Sequence, residues 1–433
     1  MMIRSLAGRR AFAGCRLAMA KNSFGTLNGL SGGGDRIGSA STSAHFKRDE
    51  QKHQVTTPAY EGSKVKGELL DLAVDMRTAR PGDVINSPYE LTISESMQDF
   101  WSCCFHSQNR ISTSRPFARR IGLQDRILPF SLVLFLTSAM THADSAKVQV
   151  GFGQAVYHWP AFAGDTFTKS FRVDSIRNTS DGNHSIFHIL CTLKNQRDRI
   201  CMSADKRMIF PFVVPQSNVV ASSNEGETTQ LFRDHLLGKA PVLAEELGSQ
   251  SLASLHAGQL IYHSMNRSIT FSQSQQLASL ARLTHPRHFD TRKYDEHTEI
   301  FVPGGLVLGL TLSASSRDLH EILHEQISNV NFVNNLHPSN VVSAITYVQK
   351  VDENLPGDLE SLVVRTFGIK NLDIAQELDG ISLPLELFEG PLKRPKDIEK
   401  ICKEKCPVLS NKIVVAIDRI ILRQARRKEI FLL

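Results

Sequence analysis

The chain has 433 residues, 41% hydrophobic and 22% charged, with 50 Lys and Arg against 44 Asp and Glu for a net charge of +6. That length holds two domains of ordinary size, each able to bury a core, and the mixed charge disfavours a dedicated nucleic-acid binder while suiting an anionic small ligand. Seven cysteines, with Cys103 and Cys104 adjacent, show no pairing logic and predict reduced thiols; Cys402 and Cys406 lack the surrounding ligands that zinc needs, so no metal site is expected.

Residues 1–55 open with Arg4, Arg9, Arg10, Arg16 and Lys21 and hold no acid before Asp35. This composition fits a mitochondrial transit peptide and a matrix location, with a disordered tail as the alternative, and the Gly- and Ser-rich stretch from Ser31 reads as a flexible linker.

From there the same order of landmarks occurs twice, at 75–212 and at 250–425. Each copy has a Gly-containing turn into a strand (Pro81-Gly82-Asp83, Ala257-Gly258-Gln259), then a matched tetrapeptide (Leu91-Thr92-Ile93-Ser94, Ile269-Thr270-Phe271-Ser272) leading into a polar helix. A histidine-bearing loop and an apolar helix follow, Gly122–Met140 in the first copy and Gly304–Ser316 in the second. Late strands are expected over Phe167–Val173, Ser185–Leu193 and Arg199–Phe210, and again over Asn340–Val351, Leu359–Ile369 and Lys412–Leu422. The strongest apolar run, Ile127–Met140, contains Pro129 and is shorter than the roughly 20 residues a bilayer span requires, so it reads as a buried helix. The pattern is α+β, one long apolar helix wrapped by an antiparallel sheet in each copy. It divides the chain into an N-terminal unit 56–212, a linker 213–249 with a helix at Gln230–Leu247, and a C-terminal unit 250–433. The Pro-rich, charged insertion 370–411 is expected outside the core.

A helix wrapped by sheet and duplicated in tandem, with Phe162-Ala163-Gly164-Asp165-Thr166 entering a strand, resembles the MaoC-like hydratases of double hotdog fold, and within them the mesaconyl-CoA hydratases. The resemblance also rests on Arg110 with Pro116–Arg119, Asp125, Ala281-Arg282-Leu283 with His288-Phe289-Asp290, Pro303-Gly304-Gly305 and Ile413–Asp418. It implies hydration or dehydration of a short, branched or dicarboxylic enoyl-CoA thioester, without a cofactor. That chemistry needs a base for water, an acid for the α-carbon and donors for the enolate oxygen. The family places an Asp a few residues ahead of a His in the loop before the apolar helix. Here His288 matches the His, Leu283 stands where the Asp would be, and Asp290 on the far side of His288 is the nearest carboxylate.

The resemblance therefore assigns His288 and Asp290 to acid/base work and the backbone N–H groups of Gly304 and Gly305 to the thioester oxygen. Arg110, Arg115, Arg119 and Arg120, with Arg126, form a cluster suited to the phosphates of coenzyme A, or alternatively a solvated basic face. The first copy has no carboxylate in its loop before Asp125 and reads as non-catalytic. Two functions remain open: an acyl-CoA hydratase or dehydratase, and an inactive hotdog pseudoenzyme. The implied partners are an acyl-CoA thioester and either a second copy in a homodimer or the other subunits of a mitochondrial complex, with no membrane.

Overall fold

Phe130–Ser138 and Gly304–Ser316 are so uniformly apolar that neither helix has a face to offer water, and both must be enclosed. In the structure, a computed structural model, each is the central helix of one half of the molecule. Residues 78–140, 146–211, 231–247 and 254–425 are described, with Gly67 and Met76; the expected transit peptide and flexible linker lie outside them. All of these except Gly67 fall within one compact unit, Leu70–Leu433. Among the described residues no helix is long and apolar enough to cross a membrane.

The first half runs β1 (Val84–Thr92), α1 (Glu95–Phe105), α2 (Arg110–Thr113), α3 (Arg115–Arg120), α4 (Phe130–Ser138), β2 (Val148–Tyr157), β3 (Thr166–Asn178), β4 (His184–Lys194) and β5 (Ile200–Pro211). Two short helices follow, α5 (Leu231–Gly238) and α6 (Ala240–Leu247). The second half is β6 (Leu260–Tyr262), β7 (Arg267–Ser268), α7 (Phe271–Leu280), α8 (Gly304–Ser316), β8 (Ile322–Phe332), β9 (Val341–Asp352), β10 (Leu359–Lys370), α9 (Ile374–Glu377), α10 (Pro395–Lys405) and β11 (Ile413–Gln424). The matched tetrapeptides end as helix caps: Ser94 accepts from the Met97 amide and Thr270 from the Gln273 amide, each closing a capping box.

One antiparallel sheet passes through both halves in the order β1-β3-β4-β5-β2-β8-β11-β10-β9-β6, with β7 also paired to β9. The seam is the ladder between the equivalent strands β2 and β8, where Gly151 faces Asn331 and Phe152 faces Val330. Pairing there closes the sheet edge that a lone unit would leave open. Arg207 of β5 reaches across it, donating to the carbonyls of Phe152 at 2.8 Å and Val330 at 2.6 Å. Both central helices lie in one hydrophobic cluster shared by the two halves. The C-terminal carbonyls of α4 are met by two buried lysine amines, Lys206 on Thr137 at 3.3 Å and Lys169 on Ala139, and burial pushes the pKa of both down.

The structure departs from the sequence reading in three places. The apolar helix of the first copy begins at Phe130, after Pro129, and not at Gly122, whose φ of +87° places it in a turn. The helix expected over Gln230–Leu247 is broken at Lys239, because Pro241 has no amide hydrogen to continue the ladder. The insertion 370–411 is not outside the core. Its Leu372, Leu378, Leu387, Phe388, Ile398 and Cys402 are buried against Ile345, Phe367, Ile369 and Ala416 of the sheet, forming a second cluster. Arg365 ties it down, donating to the carbonyls of Leu387 at 3.1 Å and Gly390 at 2.8 Å while paired with Asp418 at 2.6 Å.

Candidate active site

After α7 the chain turns through Arg282 at a φ of +58°, makes a short 3-10 turn at Pro286–His288, and returns through Phe301 to enter α8. His285 caps that turn, accepting from the Arg287 amide at 3.2 Å. The turn presents the next histidine to Phe301: His288 Nδ1 lies 2.8 Å from the Phe301 carbonyl oxygen. A carbonyl only accepts, so Nδ1 carries the proton and Nε2 is left as a lone-pair base. Burial pushes the imidazole pKa down to about 4, which keeps the ring neutral at physiological pH.

A cavity of about 370 Å³, open to solvent, is lined by His288 and by Gly304 and Gly305 at the start of α8. Pro303 caps the helix without a side-chain bond, and the first intrahelical bonds come from Leu306 and Val307. The amides of Gly304 and Gly305 therefore have no partner among the described residues, and they sit at the positive end of a thirteen-residue helix. Packing also demands glycine here. A Cβ at Gly304 would lie 2.8 Å from the Phe332 ring, and one at Gly305 would lie 2.3 Å from the Phe135 ring.

Asp290 does not join this site. Arg292 grips its carboxylate through two bonds of 2.9 and 3.1 Å and holds its pKa below the usual carboxylate range. The bond from the Asp290 amide to the Pro286 carbonyl at 2.8 Å curls the chain so that Asp290 faces a separate surface depression with Thr284 and Phe289. Neither Asp nor Glu is found among the residues lining the His288 cavity.

The arginine cluster is elsewhere and already neutralised. Arg110 pairs with Glu321 at 3.0 Å, Arg115 with Glu95 and with Asp125 at 2.9 Å, Arg119 with Asp125 at 3.6 Å, and Arg120 with Glu246 at 2.6 Å. Arg126 joins Glu95 and Asp99 at 3.1 and 2.6 Å. None of the five lines the cavity. The residues that sequence reasoning passed over are Arg287 and Phe301, which line the cavity with His288; only the folded loop brings Phe301 under both Arg287 and His288.

The first half carries a much smaller cavity, about 50 Å³, at the start of α4. Phe130 and Ser131 follow Pro129 there as Gly304 and Gly305 follow Pro303, and the Ser131 hydroxyl accepts from Trp101 Nε1 at 3.1 Å. Its loop contributes Asn109, Ile111 and Ser112 in place of a histidine. His106 lies off that site, its Nδ1 accepting from the Arg267 guanidinium at 2.8 Å.

No family model matches the chain. It is 22% identical over 307 residues to the β-methylmalyl-CoA dehydratase of Chloroflexus aurantiacus, covering 67% of this chain and 87% of that one. Among solved structures, a MaoC domain protein dehydratase from Chloroflexus aurantiacus aligns with a TM-score of 0.63 at 18% identity, over 84% of this chain and 100% of that one. A Mycobacterium tuberculosis protein described as a double hotdog gives a TM-score of 0.56 at 13% identity, over 79% and 97%. The chain thus has the double hotdog fold. Two of the structures it is similar to are described as MaoC domain or MaoC-like dehydratases, the family that the sequence resembles.

Proposed function

We propose that this chain is a MaoC-like acyl-CoA hydratase or dehydratase acting on a short, branched or dicarboxylic enoyl-CoA such as mesaconyl-CoA. The observation that carries the reading is that His288, with a free Nε2, and the unpartnered amides of Gly304 and Gly305 share one open cavity. In the hydration direction the thioester oxygen binds the two amides, and Nε2 takes a proton as water oxygen bonds to the β-carbon. The π pair moves to the thioester as an enolate, which the helix start stabilises. The imidazolium then returns its proton to the α-carbon, leaving a saturated 3-hydroxyacyl thioester and a neutral ring. Dehydration is the reverse.

A location in the mitochondrial matrix belongs to the same proposal and rests on the basic N-terminal stretch that holds no acid before Asp35. One observation favours a second reading, an inactive binding subunit of a mitochondrial complex: the cavity has no carboxylate to share the acid/base work with His288. The test is a panel of enoyl-CoA and 3-hydroxyacyl-CoA thioesters followed by the enoyl absorbance, with His288→Ala beside the unchanged protein. Turnover that the substitution abolishes supports the hydratase; none from folded protein supports the binding subunit.

A further inference from the structure

The cavity around His288 is lined by four basic side chains and no acid. Three of the four are already engaged. His288 donates to the Phe301 carbonyl, His285 lies 2.8 Å from the Ala146 carbonyl, and Lys147 lies 2.7 Å from His184 Nε2. Arg287 differs. Its guanidinium has no carboxylate partner among the described residues, and its Nε is buried without any hydrogen-bond partner. A buried guanidinium donor left unpaired costs free energy that an incoming acceptor would recover.

The side chain is nevertheless held in place. Its guanidinium carbon lies 4.4 Å from the ring centroid of Phe301 and 5.1 Å from that of Tyr294, within cation–π range of both. Phe301 is also the residue whose carbonyl holds His288, so one residue positions both the imidazole and the guanidinium. The two groups belong to the same end of the cavity. A planar, permanently charged guanidinium with open donors matches a carboxylate in two-point fashion.

We propose that Arg287 is the specificity residue of this site and that it binds a carboxylate carried on the acyl chain of the substrate, selecting dicarboxylic over monocarboxylic acyl-CoA thioesters. The proposal rests on the acyl-CoA reading above and narrows it. The same guanidinium chemistry would suit a phosphate of coenzyme A, but the pantetheine arm separates those phosphates from the thioester by much more than one side chain. An arginine anchored beside the catalytic imidazole therefore faces the acyl end.

The test needs no catalysis: equilibrium binding of succinyl-CoA and butyryl-CoA to the full chain by titration calorimetry. The expected result is a preference for succinyl-CoA on the order of 10–100-fold. Arg287→Gln should abolish that preference while leaving butyryl-CoA binding within about threefold. Arg287→Lys, which keeps the charge and loses the fork, should retain part of it. Equal binding of the two thioesters by the unchanged chain overturns the proposal, whether or not Arg287→Gln folds. So does an equal weakening of both by Arg287→Gln, which assigns the guanidinium to a phosphate of coenzyme A. An absence of enoyl-CoA turnover would end the hydratase reading and leave this binding contrast standing; loss of the contrast with turnover intact would end only the assignment of Arg287.

Discussion

His288 donates its Nδ1 proton to the carbonyl oxygen of Phe301 at 2.8 Å, and that bond decides which nitrogen the cavity receives. With Nδ1 committed, Nε2 is the only basic atom the ring can offer a water molecule.

Replacing His288 with Ala should lower kcat by about 10²–10⁴-fold with melting temperature little changed, the range expected for loss of a positioned acid/base group. Asp290→Asn should leave turnover within about threefold, because the carboxylate is committed to Arg292 and faces away from the cavity. Steady-state kinetics on the same enoyl-CoA decides both.

The pH dependence of kcat/KM follows from the depressed His288 value of about 4. The neutral ring is the active base, so activity should persist as pH falls through the ordinary histidine range near 6.5 and decline only as pH approaches about 4. A limb near 6.5 would show that the ring is more solvated than its surroundings imply.

Stability should show its own acid limb. Burial lowers the pKa of His158 and of His324 to about 4 in the folded protein, against about 6.5 when unfolded. Between those values the unfolded chain binds more protons, so stability is full above about 6.5 and is lost as pH falls toward about 4, by up to about 3 kcal/mol for each residue. Denaturant titrations across that window measure it.

Arg365→Met should destabilise the fold by about 3–5 kcal/mol, since it leaves Asp418 without its partner and frees the carbonyls of Leu387 and Gly390. The loss should appear first as proteolytic cleavage within 370–411, which Arg365 holds against the sheet.

How much of this was legible depended on how local each signal is. The strands announced themselves because turn residues bound them, and Thr270 and Ser94 marked helix starts by side chains that cap within three residues. The glycine start of α8 was readable for the same reason, whereas Gly122 misled because a turn glycine and a helix-opening glycine look alike in sequence. Asp290 lies two positions from His288 yet faces another surface, since the 3-10 turn ends at His288 and the bond from the Asp290 amide to the Pro286 carbonyl curls the chain away. The insertion looked polar because its apolar residues are scattered between prolines; Leu378, Phe388, Ile398 and Cys402 become one cluster only when laid on the sheet. Arg287 carried no sequence signal beyond its charge, as its distinction is the rings of Phe301 and Tyr294 that hold it.

The most direct test of the account is mass analysis of mesaconyl-CoA incubated with the full chain in heavy-oxygen water. The account predicts a product heavier by one labelled water, with no such product from His288→Ala. Unlabelled, unchanged thioester in the presence of folded protein would contradict it and leave the chain a binding protein on a hydratase fold.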